Sequence, residues 1–162
     1  MALPFILRSR VVILQNRVRG LNARALEEFA ALAQRAAGVR GEVDVLITSG
    51  AHVRRLNRRF RNRNSPTDVL SFPSTDGKAG DIAISAEIAF RNALRLGHSA
   101  IEEMQILILH GLLHLAGYDH ETDAGAMARK EARLRRAFGL PAALIERTTA
   151  DGTRRPAKRR RS

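Results

Sequence analysis

Apolar positions along this chain change period several times, and each change predicts an element. Val11–Asn16 (VVILQN) is a short β-rich run and predicts a first strand. Leu26, Phe29, Ala30, Ala33 and Ala37 then recur at helical spacing behind Asn22, which can cap a helix reaching about Ala37 and ended by Gly38. Val43–Thr48 alternates as a strand. Ser49 opens a basic helix over about residues 51–61, with Val53, Leu56 and Phe60 on one side and Arg54, Arg55, Arg58 and Arg59 elsewhere on a solvated face. Arg61–Pro66 (RNRNSP) has no period and reads as a loop. Asp68–Phe72 is the next strand, closed by Pro73, and Asp81–Ser85 pairs with it as a hairpin neighbour across the Ser74–Ala79 turn. Ser85 caps a helix to Leu96, ended by Gly97.

Ser99 and Glu102 have capping-box spacing and start the most apolar helix of the chain. Apolar nearly all round from Ile106 to Leu115, it should lie buried against the sheet. Thr122 caps a last helix with Met127, Leu134 and Phe138 inward, ended by Gly139. The pattern predicts an α+β fold: a mixed four-stranded sheet packed with about five helices, among them a central buried one. Residues 1–148 read as a single domain and residues 149–162 as a disordered basic tail.

The central helix carries the candidate chemistry. His110 and His114 are four residues apart and so project from one face. Gly117 permits a left-handed turn, after which His120 can return as a third ligand from another direction. Three imidazoles that leave a fourth position open are the layout of a catalytic zinc site, and they predict one zinc per chain. Nickel, cobalt or copper would also suit such donors. The spacing H-x3-H-x5-H is shared with metzincin proteases, whose general base is a glutamate directly after the first histidine. Here that position is Gly111.

HGLLHLAGYDH at 110–120 resembles the signature of the YbeY-type endoribonucleases, the rRNA maturation factors. Further stretches agree: Leu56-Asn57 with Phe60-Arg61, Pro66–Pro73 (PTDVLSFP), Gly80–Ser85 (GDIAIS) and the Met127…Glu131 spacing. The resemblance covers about residues 40–138. It implies the same α+β fold and a zinc-dependent, single-strand-specific endoribonuclease. The implied role is in maturation of rRNA, at the 3′ end of 16S rRNA, and in ribosome quality control. RNA, the ribosome and ribosome-associated proteins are the implied partners. It also implies a functional arginine at Arg61. One segment departs from the family wording: where Arg-Gly-Lys-Asp is expected, this chain has Arg61-Asn-Arg-Asn64.

Composition narrows the field. There is no cysteine, which excludes disulfides and thiolate ligands and fits a reducing cytoplasm. No apolar stretch is long enough for a membrane span. Net charge is +12, of which residues 151–162 contribute +5, so a basic excess of +7 belongs to the rest of the chain. A basic domain with a basic tail points to a polyanion, nucleic acid above all.

A dication held by three neutral imidazoles acidifies water without a protein base and polarises a phosphoryl oxygen. A glycine at 111 is therefore compatible with phosphodiester cleavage and damaging to a peptidase. The transition state gathers negative charge, which Arg61 could neutralise through two hydrogen bonds at once. Asp119, beside His120, is either a carboxylate that orients a ligand imidazole or a stabiliser of the turn. His52 and His98 read as surface residues. Two rival functions remain: a metallopeptidase, and a non-catalytic RNA-binding ribosome assembly factor with structural zinc.

Overall fold

The computed structural model describes residues 9–13, 21–75 and 77–141. The expected tail at 149–162 lies outside the described residues, as do positions 14–16 of the expected first strand. Strands β1 (Ser9–Ile13), β2 (Val43–Thr48), β3 (Val69–Pro73) and β4 (Gly80–Ser85) form one sheet in the order β1-β2-β4-β3. β1 and β2 are parallel, β2 and β4 are parallel, and β3 closes the sheet antiparallel to β4. The hairpin expected between the last two strands is present, with Val69 opposite Ile84 and Pro73 opposite Gly80.

Among the described residues, five helices accompany the sheet: α1 (Ala23–Ala37), α2 (Gly50–Arg61), α3 (Ala86–Leu96), α4 (Ala100–Leu115) and α5 (Ala126–Ala137). Alternation along β4 separates two layers, because successive side chains point to opposite faces. Ile82 and Ile84 join the main core with Val43, Val45 and Ile47 of β2, Leu26 and Phe29 of α1, and Leu109 and Leu112 of α4. Ala83 points the other way and packs with Val53 of α2 and with Leu70, Leu56 and Phe72. The basic helix thus covers one sheet face and the histidine helix the other.

Local chemistry explains most boundaries. The Asn22, Ser49, Ser85 and Ser99 side chains each accept a hydrogen bond from a backbone N–H of the first turn they precede. At Ser99 the capping box is complete, with the Glu102 carboxylate accepting from the Ser99 N–H at 2.8 Å. The last helix differs from expectation. Thr122 does not cap it; its hydroxyl donates to Asp119 Oδ2 at 3.1 Å. Asp123 does the capping, its carboxylate accepting from the N–H groups of Gly125 and Met127.

α4 lies tight against the sheet because Gly111 has no side chain. A Cβ there would come within 2.9 Å of Ile82 Cγ2 and 3.1 Å of Ser71 Oγ. The Ser71 hydroxyl uses that approach to donate to the Gly111 carbonyl at 3.1 Å. The glycine that departs from the peptidase pattern is therefore a packing requirement, since a glutamate at 111 has no room.

Candidate metal centre

His110 is buried on α4, His114 is half-buried one turn later, and His120 is exposed in the turn beyond. Gly117 adopts a φ of 96°, the left-handed conformation that lets the chain reverse after the helix. One ligand atom from each of the three imidazoles falls within 4.8 Å of the others. The sequence-predicted trio is brought together.

Two further groups orient the rings. His110 Nδ1 lies 2.9 Å from Glu131 Oε2, and His114 Nδ1 lies 3.0 Å from the Tyr118 carbonyl oxygen. Both partners are acceptors, so both Nδ1 atoms carry the proton and both Nε2 atoms present lone pairs to the same space. Those two Nε2 atoms are 3.2 Å apart. Lone pairs so close repel unless something positive lies between them. A tetrahedral zinc with bonds of about 2.0–2.1 Å would place two nitrogens about 3.3 Å apart, so the donor set fits the ion. Burial, followed by the neighbouring His110 and His120, holds the His114 imidazole below its ordinary range, which favours the neutral form a metal needs.

Glu131 is the residue to which sequence reasoning assigns no role, although its spacing from Met127 belongs to the family resemblance. It is fully buried on α5 and shared between His110 and Arg135, whose Nη2 lies 2.6 Å from Glu131 Oε1. A carboxylate behind a ligand imidazole fixes its tautomer and raises its basicity. The available signal is a charge inside an apolar stripe: Met127, Glu131 and Leu134 share the inward side of α5.

Asp119 sits next to the cluster but spends its carboxylate on the turn, accepting from the Glu121 N–H at 3.0 Å and the Thr122 hydroxyl at 3.1 Å. Those hydrogen bonds, the backbone one first, lower its pKa despite some desolvation. The Nδ1 atoms of His110 and His114 are engaged by Glu131 and the Tyr118 carbonyl, so the expected orienting role of Asp119 would concern His120, the ligand beside it. His98, expected at the surface, is a correction. Its ring is 6% exposed and contacts the fully buried Glu103, because α3 and α4 meet at that corner. His52 is half-buried, with Nδ1 3.0 Å from the Thr48 hydroxyl.

A cleft of about 1130 Å³ opens over the histidines. Arg61 and Arg63 reach it from the end of α2 and the loop that follows, Asp68 and Ser71 from the β3 region, and Arg91 and Arg95 from α3. Arg61 is held in place by Nη2 donating to the Ser71 carbonyl at 3.1 Å. Burial pushes the Asp68 carboxyl up, opposed by the nearby His110 imidazole. The departing loop keeps its shape by other means. Asn62 takes the left-handed conformation (φ 54°) that ends α2, a conformation asparagine tolerates where glycine was expected. Asn64 Oδ1 accepts from Arg54 Nε at 3.0 Å, and buried Asn57 donates to the Ser65 carbonyl at 3.0 Å.

The family model described as Endoribonuclease YbeY matches residues 8–139. The chain belongs to the YbeY family. Proteins named Endoribonuclease YbeY are similar to it from Koribacter versatilis, with 53% identity over 92% of this chain and 95% of the relative, and from Solibacter usitatus, with 49% identity over 78% and 86%. The solution structure of a Thermotoga maritima protein is also similar, with a TM-score of 0.57 and 27% identity over 93% of this chain and 99% of that one. The YbeY resemblance seen in the histidine, PTDVLSFP and GDIAIS segments thus extends over nearly all the described chain. Among the described residues, no helix is long and apolar enough to cross a membrane.

Proposed function

We propose that this chain is a zinc-dependent endoribonuclease that cuts single-stranded RNA during rRNA maturation and ribosome quality control. The observation that carries the reading is one cleft in which three imidazoles converge beside arginines. His110, His114 and His120 would hold one zinc. When bound, the ion supplies Lewis acidity toward a phosphoryl oxygen and acidifies water.

The chain's own residues supply the rest. Glu131 and the Tyr118 carbonyl retain the Nδ1 protons and keep both Nε2 atoms aimed into the cleft. Arg61 uses one guanidinium nitrogen on the Ser71 carbonyl and has others to offer a phosphate. That anchor pre-positions the charge before substrate arrives, so little reorganisation is needed as negative charge develops. Family membership and the relatives' names support RNA as the substrate, and the +12 charge supports a polyanion in general.

The peptidase alternative lacks its base, and the packing of Gly111 against Ile82 leaves no space for one. The test is cleavage of matched single-stranded and duplex rRNA fragments by zinc-loaded protein. We expect the single strand to be cut and the duplex spared. Arg61→Ala should keep its zinc while losing roughly 10²–10³-fold in kcat, the usual cost of one transition-state donor. An Arg61→Ala protein that cuts at the wild-type rate would remove Arg61 from the account. A protein that binds RNA and zinc but never cuts would favour the assembly-factor reading.

A further inference from the structure

Helix α3 faces the cleft along most of its length. Ile88, Arg91, Asn92, Arg95 and Leu96 all line it, at spacings that form one continuous helical stripe. The buried side is made of Ala86, Ala89 and Ala93, small residues that let the helix sit close to its neighbours. Arg91 and Arg95 are exposed, and one helical turn separates them, about 6 Å of rise. Half-buried Ile88 and Leu96 bracket them. An arginine face that serves only solubility has no reason to alternate with aliphatic residues on a concave surface.

The stripe has a fixed place relative to the histidines. Asn92, in its middle, has Nδ2 3.5 Å from Asp68 Oδ2 and 3.4 Å from Glu103 Oε1. Glu103 is fully buried on α4, about two turns before His110. The cleft's carboxylates belong to other elements: Asp68 precedes β3, and Asp119 and Glu121 belong to the turn bearing His120. The only acid on α3, Glu87, accepts from the Gly50 N–H and so serves the start of α2. Both charges that α3 itself presents to the cleft are therefore cationic. At about 1130 Å³ the cleft also exceeds the roughly 300–1,000 Å³ of a small-molecule site, which suits a polymer.

We propose that the α3 stripe is a second strand-binding subsite. Arg91 and Arg95 take phosphates that flank the one held beside the histidines, and Ile88 and Leu96 receive sugar and base faces. The proposal rests on the endoribonuclease reading. Arginine on each side of the reacting position would hold an RNA strand across the cleft, with Arg61 and Arg63 on one wall and Arg91 and Arg95 on the other.

The experiment compares zinc-loaded wild type, the double variant Arg91→Ala/Arg95→Ala, and a control that removes the same two charges from the exposed side of α5, Arg133→Ala/Arg136→Ala. Each is assayed on single-stranded RNA over a range of salt concentrations. In the α3 variant KM should rise about tenfold and the slope of log KM against log salt should flatten by about 1.4, or about 0.7 for each phosphate no longer neutralised. Its kcat should stay within about twofold, because neither arginine touches the reacting atoms. The charge-retaining variant Arg91→Lys/Arg95→Lys should restore the wild-type slope, and the control should change neither slope nor KM. An α3 variant indistinguishable from the control overturns the subsite while wild-type cleavage leaves the enzymatic reading intact. A wild type that cuts no RNA overturns both.

Discussion

His110 and His114 show how a residue's role is set by the atom behind it. Each ring has one nitrogen engaged by a fixed acceptor and the other aimed at a shared point. Replacing Glu131 should therefore act at two levels. Glu131→Gln should weaken zinc binding roughly 10–100-fold, measured by competition with a chelator. It should also cost about 3–5 kcal/mol in urea unfolding, because Arg135 loses its buried counter-charge. Retained zinc affinity in a folded Glu131→Gln protein would contradict the orienting role. The imidazoles also predict a pH dependence for the metal-free chain. Burial depresses the His114 pKa below 6.5 in the folded state, so the unfolded chain takes up a proton first as pH falls. That contribution to stability is complete above about pH 6.5 and is lost as pH drops below it. Urea unfolding of metal-free protein at about pH 7.5 and about pH 5.5 should show it, and His114→Phe should reduce the difference. Gly111→Ala should cost about 1–3 kcal/mol through overpacking. The penalty should be smaller in an Ile82→Val background, since Ile82 Cδ1 lies only 3.0 Å from the added carbon.

At the scale of elements, the helix starts are legible in the sequence because their caps are written locally. Asn22, Ser49, Ser85 and Ser99 each satisfy an N–H within three residues, so sequence distance and spatial distance coincide. Ser99→Ala should destabilise the fold by about 1 kcal/mol in chemical denaturation while leaving zinc content unchanged, because the capping box lies almost three turns from His110. The start of α5 misleads because three oxygen-bearing side chains, Asp119, Thr122 and Asp123, compete in one short turn. Nothing local says that Asp119 captures the Thr122 hydroxyl and leaves the cap to Asp123. His98 misleads for a related reason. A histidine after a helix-ending glycine looks solvated, and only the α3–α4 corner brings the buried Glu103 to it.

Across the whole molecule, the sheet order and the cleft are legible to different degrees. The period-2 runs and the hairpin spacing announce the strands, and the three histidines announce their own convergence. Insertion of β4 between β2 and β3 places Ser71 beneath Gly111 and brings Arg61 to the histidines, and that relation depends on a pairing no local pattern specifies. Glu131 shows in the sequence as a family spacing and as a charge within an apolar stripe, but its partner does not, because 21 residues separate it from His110. We read residues 1–148 as one domain, with the basic segment at 149–162 adding sequence-independent attraction for RNA. A chain ending at residue 148 should accordingly retain kcat and bind RNA with a flatter salt dependence, by about 0.7 for each phosphate that the segment neutralises.

If the three histidines hold a metal that the reaction requires, metal content and cleavage must be lost together. Wild type and His114→Ala, purified free of other nucleases, would be assayed together for bound zinc, for folding and for cutting of a single-stranded rRNA fragment. Wild type should carry about one zinc per chain and cleave. A folded His114→Ala protein that still binds RNA should have lost both. A folded His114→Ala protein that cuts RNA at the wild-type rate would rule out a metal-dependent reaction at these histidines.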